Sequence, residues 1–325
     1  MPIRLRRLLG PLLSVIFLLA ALVSMRDVIR EVSLGQVRDA ILNTPTSRLL
    51  LALLCTAAVY GILSVYDVLA FRYFRIRLPL RRIMFASFAG NTFGMTLGFA
   101  LLTGGSLRYR LYSEWGFNLS HVAKVTAFSV ATFILLLLLT SGIGLTLNAH
   151  DLSLFLPLPS ATLRLIGILL LTPVFLYLLS SVVLPHRTFI FRSWELRVPN
   201  FPIALGQLLL TGVEVALTGS LLYLLLPESS IPLQLFLSLY VLSQLMSFVS
   251  QVPSGLGVFD ATMMLLLRQY YGTSVILGAL VMFRLLFYAL PLLLALLSLF
   301  SYEVRQYVRE TGNGNTVPAV PPQEG

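Results

Sequence analysis

The chain has 325 residues, of which 57% are hydrophobic and only 11% are charged. This composition excludes a soluble domain, because several apolar runs reach the roughly 18 to 20 residues that a membrane-spanning helix needs. The net charge of +10 comes from 23 Lys and Arg against 13 Asp and Glu. The basic residues are scattered between apolar segments, so the expected partner is a membrane with its phospholipids and not a nucleic acid.

Six uninterrupted apolar runs predict full membrane spans. They are residues 8–24, 48–71, 119–147, 163–184, 203–226 and 273–300. The first follows a basic N-terminus like a signal peptide, but everything downstream is also membrane-like, so we expect it to remain as a span. Residues 25–47 have charges of both signs and an apolar rhythm, which predicts an amphipathic interfacial helix. Residues 1–309 thus form one helical transmembrane domain, and 310–325 are expected to be a disordered cytoplasmic tail.

Two further apolar runs, residues 83–102 and 233–250, are interrupted or end at turn-forming residues. Non-helical backbone at membrane depth is tolerated only where protein or a water-filled cavity covers it. Inverted-repeat transporters build their binding sites from broken segments of this kind. The residues expected to break the two runs are Gly94, Gly104, Gly105, Pro253, Gly255 and Gly257.

The distribution of positive charge chooses between two topologies. If both broken runs span the membrane, giving eight spans, Lys and Arg divide evenly between the two sides. If both are re-entrant, the basic residues lie mostly inside, as the positive-inside rule requires. We therefore predict an all-α polytopic integral membrane protein with six full spans, two re-entrant segments entering from opposite faces, and both termini in the cytoplasm.

Ionisable residues inside apolar runs indicate function or charge pairing, because an unpaired charge in the membrane is costly. Arg108 and Arg110 are interleaved with tyrosines at the edge of such a run, a combination that suits a lipid phosphate. The alternative is a basic loop that only fixes topology. The candidate lipid-binding residues are Asp67, Asn91, Arg108, Arg110, Tyr112, Glu214 and Arg284.

Each acidic candidate has a structural alternative to function. Glu214 and Arg284 are expected to pair with each other and hold the bundle together, although both could also line a headgroup path. For Asp67 the functional interpretation is a counter-charge for a cationic headgroup or the partner of an arginine that lines a cavity, and the structural one is an interfacial carboxylate satisfied by Arg72 or water. Asp260 is placed at the start of a helix, where the helix dipole stabilises a carboxylate.

The sequence gives no sign of catalysis or of a cofactor. Cys55 is the single cysteine, and the three histidines are far apart, so no metal cluster is indicated. Neither a nucleophile–base arrangement nor paired carboxylates stand out. A transporter-like role is therefore expected in preference to an enzyme.

Two motifs carry a resemblance to a known family. Asn91 and Gly94, followed by GGSLRYRLY at 104–112 and Trp115-Gly116, form the first, and VPSGLGVFD at 252–260 forms the second. Together they resemble the lysylphosphatidylglycerol synthase transmembrane family over about residues 8 to 305. Ser254 and Asp260 depart mildly from the family's usual second motif.

The family includes the multiple peptide resistance factor, an antimicrobial-peptide resistance protein whose N-terminal membrane domain is a lipid flippase. The resemblance implies a flippase-like translocator of anionic or aminoacylated phosphatidylglycerol in the bacterial inner membrane, as a stand-alone member without the transferase domain. The alternative is a membrane subunit that presents lipid to a separately encoded aminoacyl-lipid transferase, and a structural or regulatory membrane protein is a third interpretation. By the family pattern the functional charges are Asp67, Arg108 and Arg110. Which arginine is the main phosphate contact stays open, as does homo-oligomerisation.

Overall fold

A computed structural model describes residues 44–97, 103–185, 187–191, 194–227, 231–250 and 257–313. The predicted first span at 8–24, nearly all of the predicted amphipathic helix, Pro253 and Gly255 lie outside these residues. The described chain is helical apart from its loops and one small sheet, which confirms the predicted fold class.

The helices follow one another with short connections. In chain order they are α1 Thr46–Tyr73, α2 Leu80–Leu97, α3 Thr103–Glu114, α4 Leu119–Leu147, α5 Ala149–Leu152, α6 Ser160–Val183, α7 Phe201–Leu225, α8 Leu233–Val249, α9 Val258–Leu267, α10 Thr273–Arg284 and α11 Leu290–Asn313. A π-helical turn at Leu285–Ala289 joins α10 to α11 without a break. Helix α11 continues to Asn313, so it extends into the first residues of the predicted tail.

Five of these helical segments are long and apolar enough to cross a membrane. They are α1, α4, α6, α7 and the continuous segment Thr273–Gln306. These segments match the five predicted spans that fall within the described residues. The chain is therefore a multi-pass membrane protein.

Each interrupted run folds as a pair of short helices that pack against each other. Helices α2 and α3 have 18 and 12 residues, and α8 and α9 have 17 and 10. Gly257 immediately precedes α9 with φ of 81°, a conformation that suits glycine, so it is a break as predicted.

The predicted breaks in the first run are wrong in position. Asn91 and Gly94 lie inside α2, and Gly104 and Gly105 lie in the first turn of α3, where the sequence predicted a sharp turn. Packing explains the difference, because a Cβ on Gly104 would lie 2.3 Å from the carbonyl oxygen of Gly90. The glycine provides close contact between helices, a benefit that outweighs its helix-propensity cost of about 1 kcal/mol.

The core of the described residues contains two large buried clusters, and α1 contributes to both. The first contains Phe71 from the end of α1, with Phe93 and Tyr112 from the α2–α3 pair. The second contains Tyr60 from the middle of α1 and Phe259 from α9. Each broken run thus packs into a different cluster.

A β-hairpin joins α6 to α7, in the polar segment between two predicted spans. Strands β1 Thr188–Phe191 and β2 Trp194–Arg197 pair antiparallel, with Thr188 opposite Arg197. The hairpin ends three residues before α7, whose N-terminus is capped by the Asn200 side chain. It therefore holds Arg197 next to the start of a spanning helix.

Candidate functional site

A buried ion pair joins α1 to α3. The Arg108 Nη2 atom lies 3.0 Å from Asp67 Oδ2 and donates to Oδ1 at 3.1 Å. Asp67 is fully buried and Arg108 is 4% exposed. Of the two partners considered for Asp67, the structure selects an arginine from the broken run and not Arg72.

Neighbouring polar side chains complete a network around this pair. Arg108 also donates to Asn91 Oδ1 at 3.1 Å, and the Ser129 hydroxyl on α4 donates to Asp67 Oδ1 at 3.0 Å. Asn91 in turn donates to the Ser87 hydroxyl at 3.0 Å. Residues from α1, α2, α3 and α4 therefore meet at one buried polar site.

Small residues make room for the arginine between α2 and α3. A Cβ on Gly90 would lie 2.8 Å from Arg108 Cγ and 3.0 Å from its Nε atom. Gly104 and Arg108 are one helical turn apart, so they lie on the same face of α3, which faces α2. The glycines that the sequence assigned to a turn instead let the guanidinium reach Asp67.

The site has hydrogen-bonding capacity that the protein does not use. The Arg108 Nε atom and the hydroxyl of Tyr112, one turn further along α3, are buried and have no hydrogen-bond partner among the described residues. Leaving a buried polar group without a partner costs about 1 to 3 kcal/mol. A ligand oxygen that accepts hydrogen bonds would remove part of that cost.

Arg110 lies in a different environment from Arg108. It contacts Glu303 on α11 and lies 3.8 Å from Glu114, one turn along α3, and its side chain is 13% exposed. Its charge is thus matched by two carboxylates, of which Glu303 joins α3 to the last helix. The structure therefore separates the two arginines that the sequence could not rank.

The predicted pairing of Glu214 with Arg284 is wrong. Arg284 contacts Asp260 through both Nη2 and Nε, the latter at 3.2 Å. Glu214 instead accepts a hydrogen bond of 2.5 Å from the Tyr66 hydroxyl on α1. Helix α10 packs against both α7 and α9, but Glu214 lies on the side of α7 that meets Tyr66 of α1, whereas Asp260 of α9 reaches Arg284.

Asp260 occupies the first turn of α9, as predicted, but it also has this ion partner. Sequence reasoning missed a further polar group, in which Gln207 on α7 donates to the Thr132 hydroxyl at 2.5 Å and accepts from Tyr177. Its members are uncharged and scattered over three helices, so no sequence signal marks it. Among the described residues no cluster of His, Cys, Asp or Glu could hold a metal ion.

Comparison with known proteins identifies two relatives that match over most of their length. The chain is 35% identical to the uncharacterized protein slr0712 of Synechocystis over 77% of this chain and 78% of the relative. It is 30% identical to the inner membrane protein YbhN of Escherichia coli over 90% of this chain and 91% of the relative. No protein-family model matches the chain.

A second group of relatives is much longer. The chain is 24% identical to the phosphatidylglycerol lysyltransferase of Staphylococcus xylosus over 75% of this chain but only 28% of that protein. The corresponding enzyme of Staphylococcus aureus is 25% identical over 79% of this chain and 30% of its own length. Because the match to YbhN covers nearly both chains and the lysyltransferases share the same segment, the chain belongs to the lysylphosphatidylglycerol synthase transmembrane family.

Proposed function

We propose that this chain translocates a phospholipid with an anionic or aminoacylated phosphatidylglycerol-type headgroup across the bacterial inner membrane. The observation that carries the proposal is the buried Asp67–Arg108 pair with its unused donors. A relative is an inner membrane protein, and two others are named phosphatidylglycerol lysyltransferases, which supports a lipid-related role in that membrane.

The chemistry of the pair suits a headgroup that carries both signs of charge. A guanidinium offers a planar fork of donors to a phosphate, and such charge-assisted hydrogen bonds are about twice as strong as neutral ones. When a phosphate takes Arg108, Asp67 is released to bind the ammonium of an aminoacyl group. The headgroup thereby replaces the internal ion pair without leaving either protein charge unpaired.

A second ion pair supports a translocation path with two successive binding sites for the lipid headgroup. Asp260 on α9 pairs with Arg284 on α10, next to the second broken run, just as Arg108 of the first broken run pairs with Asp67. The two pairs lie beside different hydrophobic clusters. In this proposal a headgroup passes from one pair toward the other as the broken helices move.

A flipping assay tests the proposal. Purified chain is reconstituted into phosphatidylglycerol vesicles, and the transfer of fluorescent lysyl-phosphatidylglycerol between leaflets is followed with an impermeant quencher. Arg108→Lys keeps the charge but loses the fork, and loss of a charge-assisted hydrogen bond of about 1.5 to 3 kcal/mol predicts a rate at least about tenfold lower. Asp67→Asn is expected to reduce the preference for the aminoacylated headgroup.

The matched control is Arg110→Lys, in the same helix but paired with Glu303 and Glu114. Its flipping rate should stay within about twofold of the parent. Parent-level flipping by Arg108→Lys would overturn the assignment of the site. If the parent chain binds the lipid but does not flip it, the alternative is favoured, in which the chain presents lipid to a separate transferase.

A further inference from the structure

An open cleft lies where two spanning helices reach the membrane surface. Its lining residues are Arg72, Tyr73, Arg75, Arg197, Asn200 and Ile203, and its volume is about 110 Å³. The end of α1, the end of strand β2 and the start of α7 thus enclose it. The cleft contains neither ion pair described above, so it is separate from the buried site.

The cleft holds three positive charges without an internal counter-charge. Within the described part of the chain, the side chains of Arg72, Arg75 and Arg197 make no ion pair or hydrogen bond, and the lining includes no carboxylate. Three like charges around a small space repel one another, and an anion between them removes that repulsion. The other arginines of α3 and α10 all have carboxylate partners.

The backbone holds these arginines in place. Arg75 has φ of 55°, the one non-glycine residue with positive φ in the described chain. A residue in this left-handed conformation commonly ends a helix, and here the Arg75 amide also donates to the Arg72 carbonyl at 3.1 Å. It is held by a hydrogen bond from the Ile76 amide to the Phe71 carbonyl, 2.9 Å long.

The opposite wall is also fixed and also favours an anion. The Tyr73 hydroxyl donates to the Arg197 carbonyl, which joins the hairpin to the end of α1. Asn200 caps α7 by accepting from the Ile203 amide at 3.3 Å, so its side-chain NH₂ group remains to donate. The N-terminus of α7 adds a partial positive charge on the same wall.

We infer that this cleft is a phosphate-binding site at the membrane surface, built from Arg72, Arg75, Arg197 and Asn200. The ligand is a singly or doubly charged phosphate group, carried by a lipid headgroup or free in solution. Arg72 and Arg75 on one wall and Arg197 on the other offer forked guanidinium donors to the oxygens of that group. The inference does not depend on lipid translocation, because it concerns residues that the Asp67–Arg108 site does not use.

Equilibrium binding to the full chain in a neutral detergent tests the inference. The probes are inorganic phosphate, dihexanoyl-phosphatidylglycerol and dihexanoylglycerol, which has the same acyl chains without phosphate. The parent should bind the first two and not the third. If the short lipid binds at least about tenfold more tightly than inorganic phosphate, the natural ligand is a headgroup, and equal affinities indicate a soluble phosphate.

Two variants and one control decide the location of the site. Arg75→Gly removes one donor group and places glycine at a positive φ, so melting temperature should be kept or raised while affinity falls about tenfold. Arg197→Gln should weaken binding similarly. Arg77→Gln removes an exposed charge from the same loop but outside the cleft, and should change the dissociation constant less than about twofold.

The effect of Arg75→Gly should be the same in the Arg108→Lys background, which separates this site from the buried pair. Failure of both phosphate probes to bind would overturn the inference. So would an equal loss of affinity in Arg75→Gly and Arg77→Gln, because general surface charge would then explain the binding.

Discussion

Two ion pairs in this protein join residues that are far apart in the sequence. Asp67 and Arg108 are 41 residues apart, and Asp260 and Arg284 are 24 apart, yet each pair is in direct contact. Removing one partner of a buried pair is expensive, about 3 to 5 kcal/mol, whereas removing both together can be nearly neutral. The pairs therefore contribute more to the specificity of helix packing than to net stability.

The Asp260–Arg284 contact predicts coupled effects of mutation. Asp260→Asn and Arg284→Gln should each lower the free energy of unfolding, by up to about 3 kcal/mol because the pair is partly exposed. The double variant should lose clearly less than the sum of the two. Unfolding by SDS in mixed micelles measures these differences.

Glu214→Gln combined with Arg284→Gln is the control, because Glu214 bonds to Tyr66. Distant residues without shared partners give additive effects within about 0.5 kcal/mol. Additive losses for Asp260 with Arg284, or strong coupling of Glu214 with Arg284, would contradict the structure.

At this scale the sequence identifies charges but not their partners. Asp67, Glu214 and Arg284 stand out because they interrupt apolar runs, and all three are involved in buried or partly buried polar contacts. Which carboxylate meets which arginine depends on how helices cross, and hydrophobic periodicity carries no information about that. The Glu214–Arg284 prediction failed for this reason.

The broken helices depend on close contact between backbones. In α3, Gly104 lies against Gly90, and the same approach brings Arg108 to Asp67. In a membrane there is little hydrophobic force between helices, so small residues at contacts provide van der Waals packing instead. A substitution at this contact should affect both stability and the buried ion pair.

Gly104→Ala is therefore expected to destabilise the protein. The new methyl group would meet the Gly90 carbonyl oxygen at 2.3 Å, and a backbone atom cannot move aside as a side chain can. Overpacking of this kind costs about 1 to 3 kcal/mol and should lower the melting temperature in detergent.

Gly61→Ala in α1 is the matched control. No atom lies within 4 Å of its added Cβ, so the higher helix propensity of alanine should stabilise the helix by up to about 1 kcal/mol. Equal melting temperatures for Gly61→Ala and Gly104→Ala would show that α2 and α3 are not in close contact.

The elements were largely predictable and their irregularities were not. Long apolar runs located all five described spanning segments, and composition located both broken runs. Glycine in a sequence indicates a turn and a close helix contact equally well, so Gly94, Gly104 and Gly105 were assigned to the wrong feature. The hairpin at 188–197 was missed because its strands are four residues each.

On the scale of the whole molecule, the two broken runs pack into different parts of the core. The helices of the first run contribute to one large hydrophobic cluster and those of the second run to the other. The entry of the two hairpins from opposite faces follows from the charge distribution and is a prediction.

Cysteine labelling in spheroplasts checks that prediction. In a Cys55→Ala background, Ser106→Cys and Ser113→Cys are expected to resist an impermeant thiol reagent, because residues 104–118 should face the cytoplasm. Leu154→Cys, at an exposed position after α5, should react from outside and serves as the control. Ready labelling at position 106 or 113 would exclude the six-span topology.

The π-helical turn after Arg284 sets the rotational phase of the last helix. Buried positions run along one stripe from Ile276 through Phe283 and Phe287 to Leu299. Six turns of a regular α-helix contain about 22 residues. The separation between Ile276 and Leu299 along the chain is about one residue longer than that. The wide turn at Leu285–Ala289 takes up that extra residue. Without this extra residue, the side chains after the turn would be rotated by about 100° about the helix axis. Glu303 would then no longer point toward Arg110.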